Sequence, residues 1–113
     1  MHLLVIVLTY ENLTRKLVRR LAKEGIKGCT IIDSQGMASV IEDFDDLPVF
    51  GILKHILDDN DEEENKTIFM VLNDEDLVKA KGIVKQVCGD LNLPNSGIMF
   101  TLPVESVEGV VGE

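Results

Sequence analysis

Few residues of this sequence have side chains that could do chemistry, and those few are widely separated. His2 stands near the start, and His55 lies between Lys54 and Ile56 in a segment with helical spacing. No Gly-rich phosphate loop and no HExxH, GxSxG or CxxC motif occurs in the sequence. A lone histidine is more often a surface or packing residue than a catalytic one. We therefore predict no catalytic residue and expect that the protein is not an enzyme.

The two cysteines, Cys29 and Cys88, have no basic partner at the spacing of a nucleophile motif. They could form one disulfide, but an aliphatic core in a domain of 113 residues needs no such link. We expect free thiols in a reducing compartment, and hence a cytoplasmic protein. The apolar run of residues 3–8 is far too short to span a bilayer and lacks the flanks of a signal peptide.

An acidic run at residues 58–64 is the other candidate for chemistry. Its carboxylates are interrupted only by Asn60, and Asp58, Asn60 and Glu62 alternate like the first ligands of a calcium loop. However, Glu63 occupies the sixth position, where that loop needs glycine. We therefore predict a solvated charge run and no metal site.

The composition bounds the possible functions. Hydrophobic residues make up 45% of the chain and aromatic residues only 4%, with no Trp, so any core is aliphatic. The formal net charge is −9, which repels phosphate backbones and anionic lipid. We expect neither nucleic-acid binding nor direct membrane insertion.

The hydrophobic pattern repeats one plan twice. Continuous apolar runs predict strands at residues 3–8 and 67–72, each buried on both faces. A helix follows each of them, with Asn12 and Asn73 as the expected N-caps, Gly25 ending the first helix and the second running to about residue 90. Further strands are predicted at residues 29–35 and 98–102. The buried stripes comprise Leu13, Leu17, Val18 and Leu21 in the first helix and Leu77, Ala80, Val84, Val87 and Leu91 in the second.

The order β-α-β, long excursion, β-α-β predicts a single domain, residues 1–113, of the α+β class. It is the ferredoxin-like βαββαβ fold, an antiparallel four-stranded sheet with two helices on one face. The long excursion between the second and third strands covers residues 37–66. Such long connections are usually functional or mobile.

The strand pattern also predicts an oligomer. A sheet with helices on one face should alternate apolar and polar residues, because the other face meets water. These strands are apolar at nearly every position, so both faces must be buried. We expect a second copy of the sheet to cover the open face. The alternative is that the excursion folds back over it.

An apolar stripe lies within the excursion. Five large side chains recur near helical spacing around and after Pro48, and they are Leu47, Phe50, Leu53, Ile56 and Leu57. One hypothesis is that this stripe docks a partner protein. The other is that it packs on its own oligomer.

Several short motifs, in order, resemble those of the PII signalling proteins. Residues 25–30 read GIKGCT and resemble the segment in which the family's first helix ends and its second strand begins. Residues 33–36 read DSQG and resemble the base of the family's long T-loop. Residues 96–100 (SGIMF) and 102–105 (LPVE) resemble its last strand and exit.

The resemblance implies a homotrimer with inward-facing sheets, in which the excursion is the T-loop equivalent. Family members bind ATP or ADP, often with 2-oxoglutarate, between subunits and act on a transporter or an enzyme through this loop. It implies an effector site formed at the base of the excursion and in the loop before the last strand. The candidate ligand-binding residues are Gly36, Met37, Ser39, Asn95, Ser96 and Gly97.

The sequence departs from the family at the nucleotide site. The position of the family's phosphate-binding lysine is Ile98, and its C-terminal Arg-x-Arg falls on Gly109 and Val111. A polyphosphate needs cations or a backbone nest, so we do not expect ATP or ADP to bind in the family's manner, and the cofactor stays open. The alternative function is a metal-binding or structural trimer resembling CutA, for which only the acidic run and His55 offer ligands.

Overall fold

A computed structural model of the chain describes residues 1–37, 63–92 and 97–109. The four strands form one sheet in the order β2-β3-β1-β4, and every neighbouring pair is antiparallel. This arrangement confirms the predicted ferredoxin-like α+β fold. The elements in chain order are β1 (His2–Tyr10), α1 (Glu11–Lys23), β2 (Thr30–Ser34), β3 (Glu63–Leu72), α2 (Asp74–Cys88) and β4 (Ile98–Pro103).

The core lies between the sheet and its two helices. Leu4 pairs with Met70 across the sheet, and Ile6 pairs with Ile68, so these side chains share one face. All four are at most 1% exposed. Leu8 and Leu72 extend this core along the strands, and the helices contribute Leu17, Leu21, Ala80, Ile83 and Val84, with Leu13, Leu77, Val87 and Leu91 packed at its margin. The predicted helix stripes therefore face the core except for Val18, which is not part of it, and the prediction omitted Ile83.

Helix α1 begins without a side-chain cap. Tyr10 occupies the N-cap position, with extended backbone angles, and no side chain accepts a hydrogen bond from the first turn. The prediction that Asn12 caps this helix is wrong, because the helix already starts at Glu11 and Asn12 lies inside the first turn. Burial of Leu17 and Leu21 compensates, since packing contributes more to a helix than one cap does.

The end of α1 is fixed by Gly25, as the sequence predicts. This glycine has φ +91°, a value that side chains rarely tolerate. Its N–H donates to the carbonyl of Ala22 (3.2 Å), and the N–H of Ile26 donates to the carbonyl of Leu21 (2.9 Å). These two bonds are those of a Schellman motif. Ile26 is consequently buried in the core and directs the chain toward β2.

Helix α2 begins at the predicted cap. The side-chain oxygen of Asn73 accepts a hydrogen bond from the backbone N–H of Asp76 (2.8 Å). The helix ends at Cys88, followed by Gly89 with φ +73°, and the prediction of an end near residue 90 is therefore wrong by two residues. Gly89 is the stronger stop signal because glycine adopts this conformation without steric conflict.

Strand β3 is longer than its apolar run predicts. It starts at Glu63 rather than Thr67, because the chain there pairs with Tyr10 of β1 and with Ser34 of β2. The last four residues of the 37–66 excursion thus belong to the sheet. Residues 38–62 lie outside the described part of the chain. Neither described helix has the length and apolar character that crossing a bilayer requires.

Candidate functional site

The candidate ligand-binding residues that the structure describes are Gly36, Met37 and Gly97. Gly36 and Met37 follow β2, and Gly97 precedes β4. Both points lie at the same end of the sheet, because the ladders are antiparallel throughout. They lie on opposite edges, with β3 and β1 between them. Three strand spacings separate β2 from β4, about 14 Å. Ser39, Asn95 and Ser96 lie outside the described residues.

Gly97 is required by its close contact with β1. Its φ is +122°, and a Cβ built on it would lie 2.4 Å from the carbonyl oxygen of Val7. Backbone cannot move away as a side chain can, so any other residue would displace the start of β4. The motif glycine is therefore explained by packing, and the loop before β4 lies directly against the central strand.

Gly36 has a softer constraint. A Cβ there would lie 2.8 Å from Nδ2 of Asn65, which is the end of a flexible side chain. Met37, one residue further, is 75% exposed. The base of the excursion thus has a glycine against the Asn65 amide and, one residue later, an apolar side chain in solvent.

A polar group at this end of the sheet was missed by the sequence analysis. Thr67 Oγ1 donates to Ser34 Oγ (2.8 Å), and Asn65 pairs with Ser34 across the β2–β3 ladder. Thr67 pairs with Val7 and thus projects from the face opposite the helices. Ser34, Asn65 and Thr67 form what we call the polar end of the sheet. The sequence offered one signal for this group: Asn65, Thr67 and Phe69 alternate along the chain, and alternate residues of a strand lie on the same face.

Lys66 was also missed. It is only 18% exposed at its side chain, and its Nζ donates to the carboxylate of Asp33 on the neighbouring strand. Lys66 pairs with Leu8 and therefore belongs to the helix-covered side of the sheet. A largely buried cation thus lies within one residue of the polar end.

The face opposite the helices is apolar over the rest of its area. Leu3, Val5 and Val7 of β1 alternate with the core residues and pair with two other strands. We call this the open face, and its further members are Ile32, Phe69, Val71, Ile98, Phe100 and Leu102. Ile98, Phe100 and Leu102 of the edge strand β4 are 55%, 43% and 48% exposed, whereas Val5 at the centre of this face is only 4% exposed. Its composition agrees with the predicted lack of alternation.

The thiols and His2 do not form a reactive group. Cys29 and Cys88 are both free, and partial burial raises the pKa of each thiol, which favours the protonated, unreactive form. His2 Nε2 contacts Asp74 Oδ1 at 2.5 Å, and this hydrogen bond, with the charge of His2, lowers the pKa of Asp74. In residues 1–37, 63–92 and 97–109, no three His, Cys, Asp or Glu side chains are grouped as metal ligands would be.

The apolar stripe of the excursion and His55 lie outside the described residues. The predicted docking residues Leu47, Phe50, Leu53, Ile56 and Leu57 are therefore not placed by the structure. The same holds for Val111, whereas Gly109 is described, with φ +91°.

Comparison with known proteins gives a structural match without a sequence match. No protein-family model and no curated protein matches the sequence. Among solved structures, the chain is similar to GlnK of B. subtilis, determined as a complex with ATP, with a TM-score of 0.55 and 16% identity. The alignment covers 89% of this chain and 78% of the GlnK chain. GlnK is a member of the PII family. The sheet order, the glycine at the start of β4 and this match together show that the chain has the PII-like fold predicted from its motifs.

Proposed function

We propose that this protein is a PII-like regulatory homotrimer that binds a small effector between subunits and contacts a partner protein through residues 37–66. The open face is the single observation that carries this proposal. Three large side chains of β4 are about half exposed on this face and continue the apolar surface of the central strands, and an exposed apolar patch of this kind is typical of an interaction surface.

Assembly through the open face follows from its energetics. Fully burying a side chain such as Ile98, Phe100 or Leu102 is worth about 1.5–3 kcal/mol. The free energy gained by burying several such side chains in each subunit outweighs the free-energy cost of association. A second copy of the same sheet offers a surface of the same chemistry and curvature. The family resemblance favours three copies with their open faces turned inward.

The effector site is proposed to lie between subunits because of the distance across the sheet. A compact metabolite cannot contact both Met37 and Gly97 of one chain across roughly 14 Å of intervening strands. It can contact both when the β2 edge of one subunit adjoins the β4 edge of the next. The polar end then supplies hydrogen-bonding groups from Ser34, Asn65 and Thr67, and the adjacent Lys66 lies on the other face of the same strand.

The chemistry of the effector is less constrained than the site's position. GlnK was solved with ATP, but here Ile98 and Gly109 replace the cations that the family places at the phosphates. Lys66 is a single cation already paired with Asp33. This balance favours an effector with fewer negative charges than a triphosphate.

The proposed partner is a transporter or an enzyme that contacts the excursion, in a cytoplasmic setting and without catalysis by this chain. Phe50→Glu places a charge within the stripe. If the stripe docks the partner, this variant should abolish partner binding and leave the trimer intact. Loss of the trimer in this variant would instead assign the stripe to the subunit interface. Light scattering on the variant separates the two outcomes.

The assembly is tested by Phe100→Glu. Light scattering should give a trimer for the unmodified protein and a monomer for the variant, with unchanged circular dichroism. Glu105→Gln is the control. It also changes the charge of one exposed residue in the C-terminal segment, but Glu105 lies outside the sheet. A monomeric unmodified protein, or a trimeric Phe100→Glu, would refute assembly through the open face.

The effector is tested by a thermal-shift screen with ATP, ADP, AMP, cyclic dinucleotides, 2-oxoglutarate, bicarbonate and divalent metals. A ligand that binds the folded state raises the midpoint of unfolding. We expect a rise with one metabolite or nucleotide, lost in Asn65→Ala. A rise with divalent metals alone would favour the CutA-like alternative. No rise with any compound would contradict the effector site.

A further inference from the structure

The outer side of α1 carries a concentrated positive charge. Arg15, Lys16, Arg19 and Lys23 are exposed along this helix, and we call them the cationic ridge. The other exposed residues that the structure describes in the helix, Asn12 and Ala22, are uncharged. Within the described part of the chain, Lys16, Arg19 and Lys23 have no ion-pair partner.

The spacing of the ridge opposes helix stability. Arg15, Arg19 and Lys23 follow one another at intervals of four residues, which brings like charges together on one side of the helix. A helix selected for stability alone would place carboxylates between them. The ridge therefore has no evident role in folding.

The ridge contrasts with the rest of the chain. Residues 12–27 hold six cations and one carboxylate, whereas the whole chain has a net charge of −9. The complementary segment is the acidic run of residues 58–64, which holds six carboxylates in seven positions. Charge complementarity of this kind selects a partner and its orientation.

We propose that the cationic ridge is a docking surface for the acidic run of a second copy of this chain. The ridge lies on the helical layer, on the opposite side of the molecule from the open face, so this contact is separate from the proposed trimer. It does not depend on the proposed function.

A second copy is favoured over the same copy by chain length. Glu63 pairs with Tyr10, immediately before α1, so the run is attached at the N-terminal end of the ridge. From Glu63 back to Asp58 a chain spans at most about 17 Å. Lys23 lies twelve residues along the helix, about 18 Å along its axis, and out of the sheet layer as well. The run of the same chain could therefore reach Lys23 only when almost fully extended, whereas the run of a second copy is under no such constraint.

Ionic strength should show this contact. Two chains of net charge −9 repel one another at long range, but at about 0.1 M salt charges farther apart than roughly 10 Å are screened. The local contact between ridge and run persists there and is lost near molar salt. Association should therefore be strongest at moderate ionic strength, in contrast to assembly through the apolar open face.

The test is sedimentation velocity of the full chain over a range of protein concentrations at about 0.1 M and about 1 M NaCl. We expect concentration-dependent assembly beyond the basal oligomer at the lower salt concentration only. R19E/K23E should weaken this assembly by at least about tenfold, and the neutral R19Q/K23Q should weaken it less. The matched control is K81E/K85E, which makes the same charge change at exposed positions of α2 and should assemble normally.

The decisive experiment exchanges the charges of the ridge and of the acidic run between two variants. D58K/D59K/D61K/E62K and R19E/K23E should each fail to associate alone and should associate when mixed. Equal assembly at both salt concentrations, normal assembly of R19E/K23E, or no rescue on mixing would overturn the proposal. Binding of the ridge to anionic vesicles or nucleic acid, without self-association, would also overturn it.

Discussion

The two faces of the sheet are built from alternate residues of the same strands and differ in what covers them. On the closed face, Leu4, Ile6 and Met70 are almost fully buried by the two helices. On the open face, the equally apolar Ile98, Phe100 and Leu102 of the edge strand β4 remain about half exposed, and only Val5 at its centre is buried to a similar extent. One face therefore stabilises the subunit, and the other is available to stabilise an assembly. The difference shows that apolar content alone does not distinguish a core from an interface.

The largest expected effect separates the two faces directly. Ile6→Ala should lower the free energy of unfolding by about 2–5 kcal/mol, because it leaves a cavity under the helices. The loss should not vary with protein concentration in urea titrations. Leu102→Ala should instead give a loss that grows with concentration, since its side chain would be buried only in the proposed trimer. The same concentration dependence for both variants would contradict the division of roles.

A second prediction concerns the attachment of β4, which supplies most of the exposed part of the open face. Gly97→Ala should destabilise the subunit by about 1–3 kcal/mol, from strain at its positive φ and the contact with the Val7 carbonyl. The comparison is Gly82→Ala, because Gly82 lies in α2 and an added methyl group there would meet nothing within 4 Å. That change should stabilise the helix by about 0.8–1.0 kcal/mol. Thermal unfolding of both variants checks the opposite signs.

A third prediction tests the helix that closes the core. Asn73→Ala removes the side chain that accepts from the Asp76 N–H and should cost about 1 kcal/mol. Asn73→Asp keeps an accepting oxygen and should restore most of the stability. Equal losses in the two variants, measured by urea unfolding, would show that the cap is not the cause.

The smallest expected effect concerns the link between α2 and β1. The contact with His2 lowers the pKa of Asp74, so the folded state favours the ionised carboxylate. Its contribution to stability is full above the ordinary aspartate pKa of 3.8 and disappears as the pH falls through the lower folded value. Asp74→Asn should therefore be less stable than the parent near neutral pH and converge with it in acid. Glu75→Gln, in the same exposed turn, should show no such convergence.

Much of the fold could be predicted because it depends on strong local patterns. The unbroken apolar run of β1 predicted a strand buried on both faces, and Gly25 and Asn73 predicted helix ends that the structure confirms. The early start of β3 could not be predicted, because Glu63 joins the sheet through pairing with Tyr10 and not through its own propensity.

The candidate site was predicted less completely. The glycines were recognisable from motif resemblance, and Gly97 has a structural reason in the Val7 carbonyl. The polar end was missed, because Ser34 and Thr67 meet only across the β2–β3 ladder, 33 residues apart in sequence. Lys66 was missed for the same reason, since its pairing with Asp33 depends on strand register.

The sheet order has a consequence for how this chain is synthesised. Strand β1 is translated first, yet it lies between β3 and β4, which follow about sixty and ninety residues later in the sequence. Contacts of such sequence separation form slowly, and a growing chain leaves unpaired apolar strands open to aggregation. Until β4 emerges from the ribosome, β1 has one unpaired edge. Strand β1, which is made before both of its neighbours, is thus the strand that stays incompletely paired for longest during synthesis.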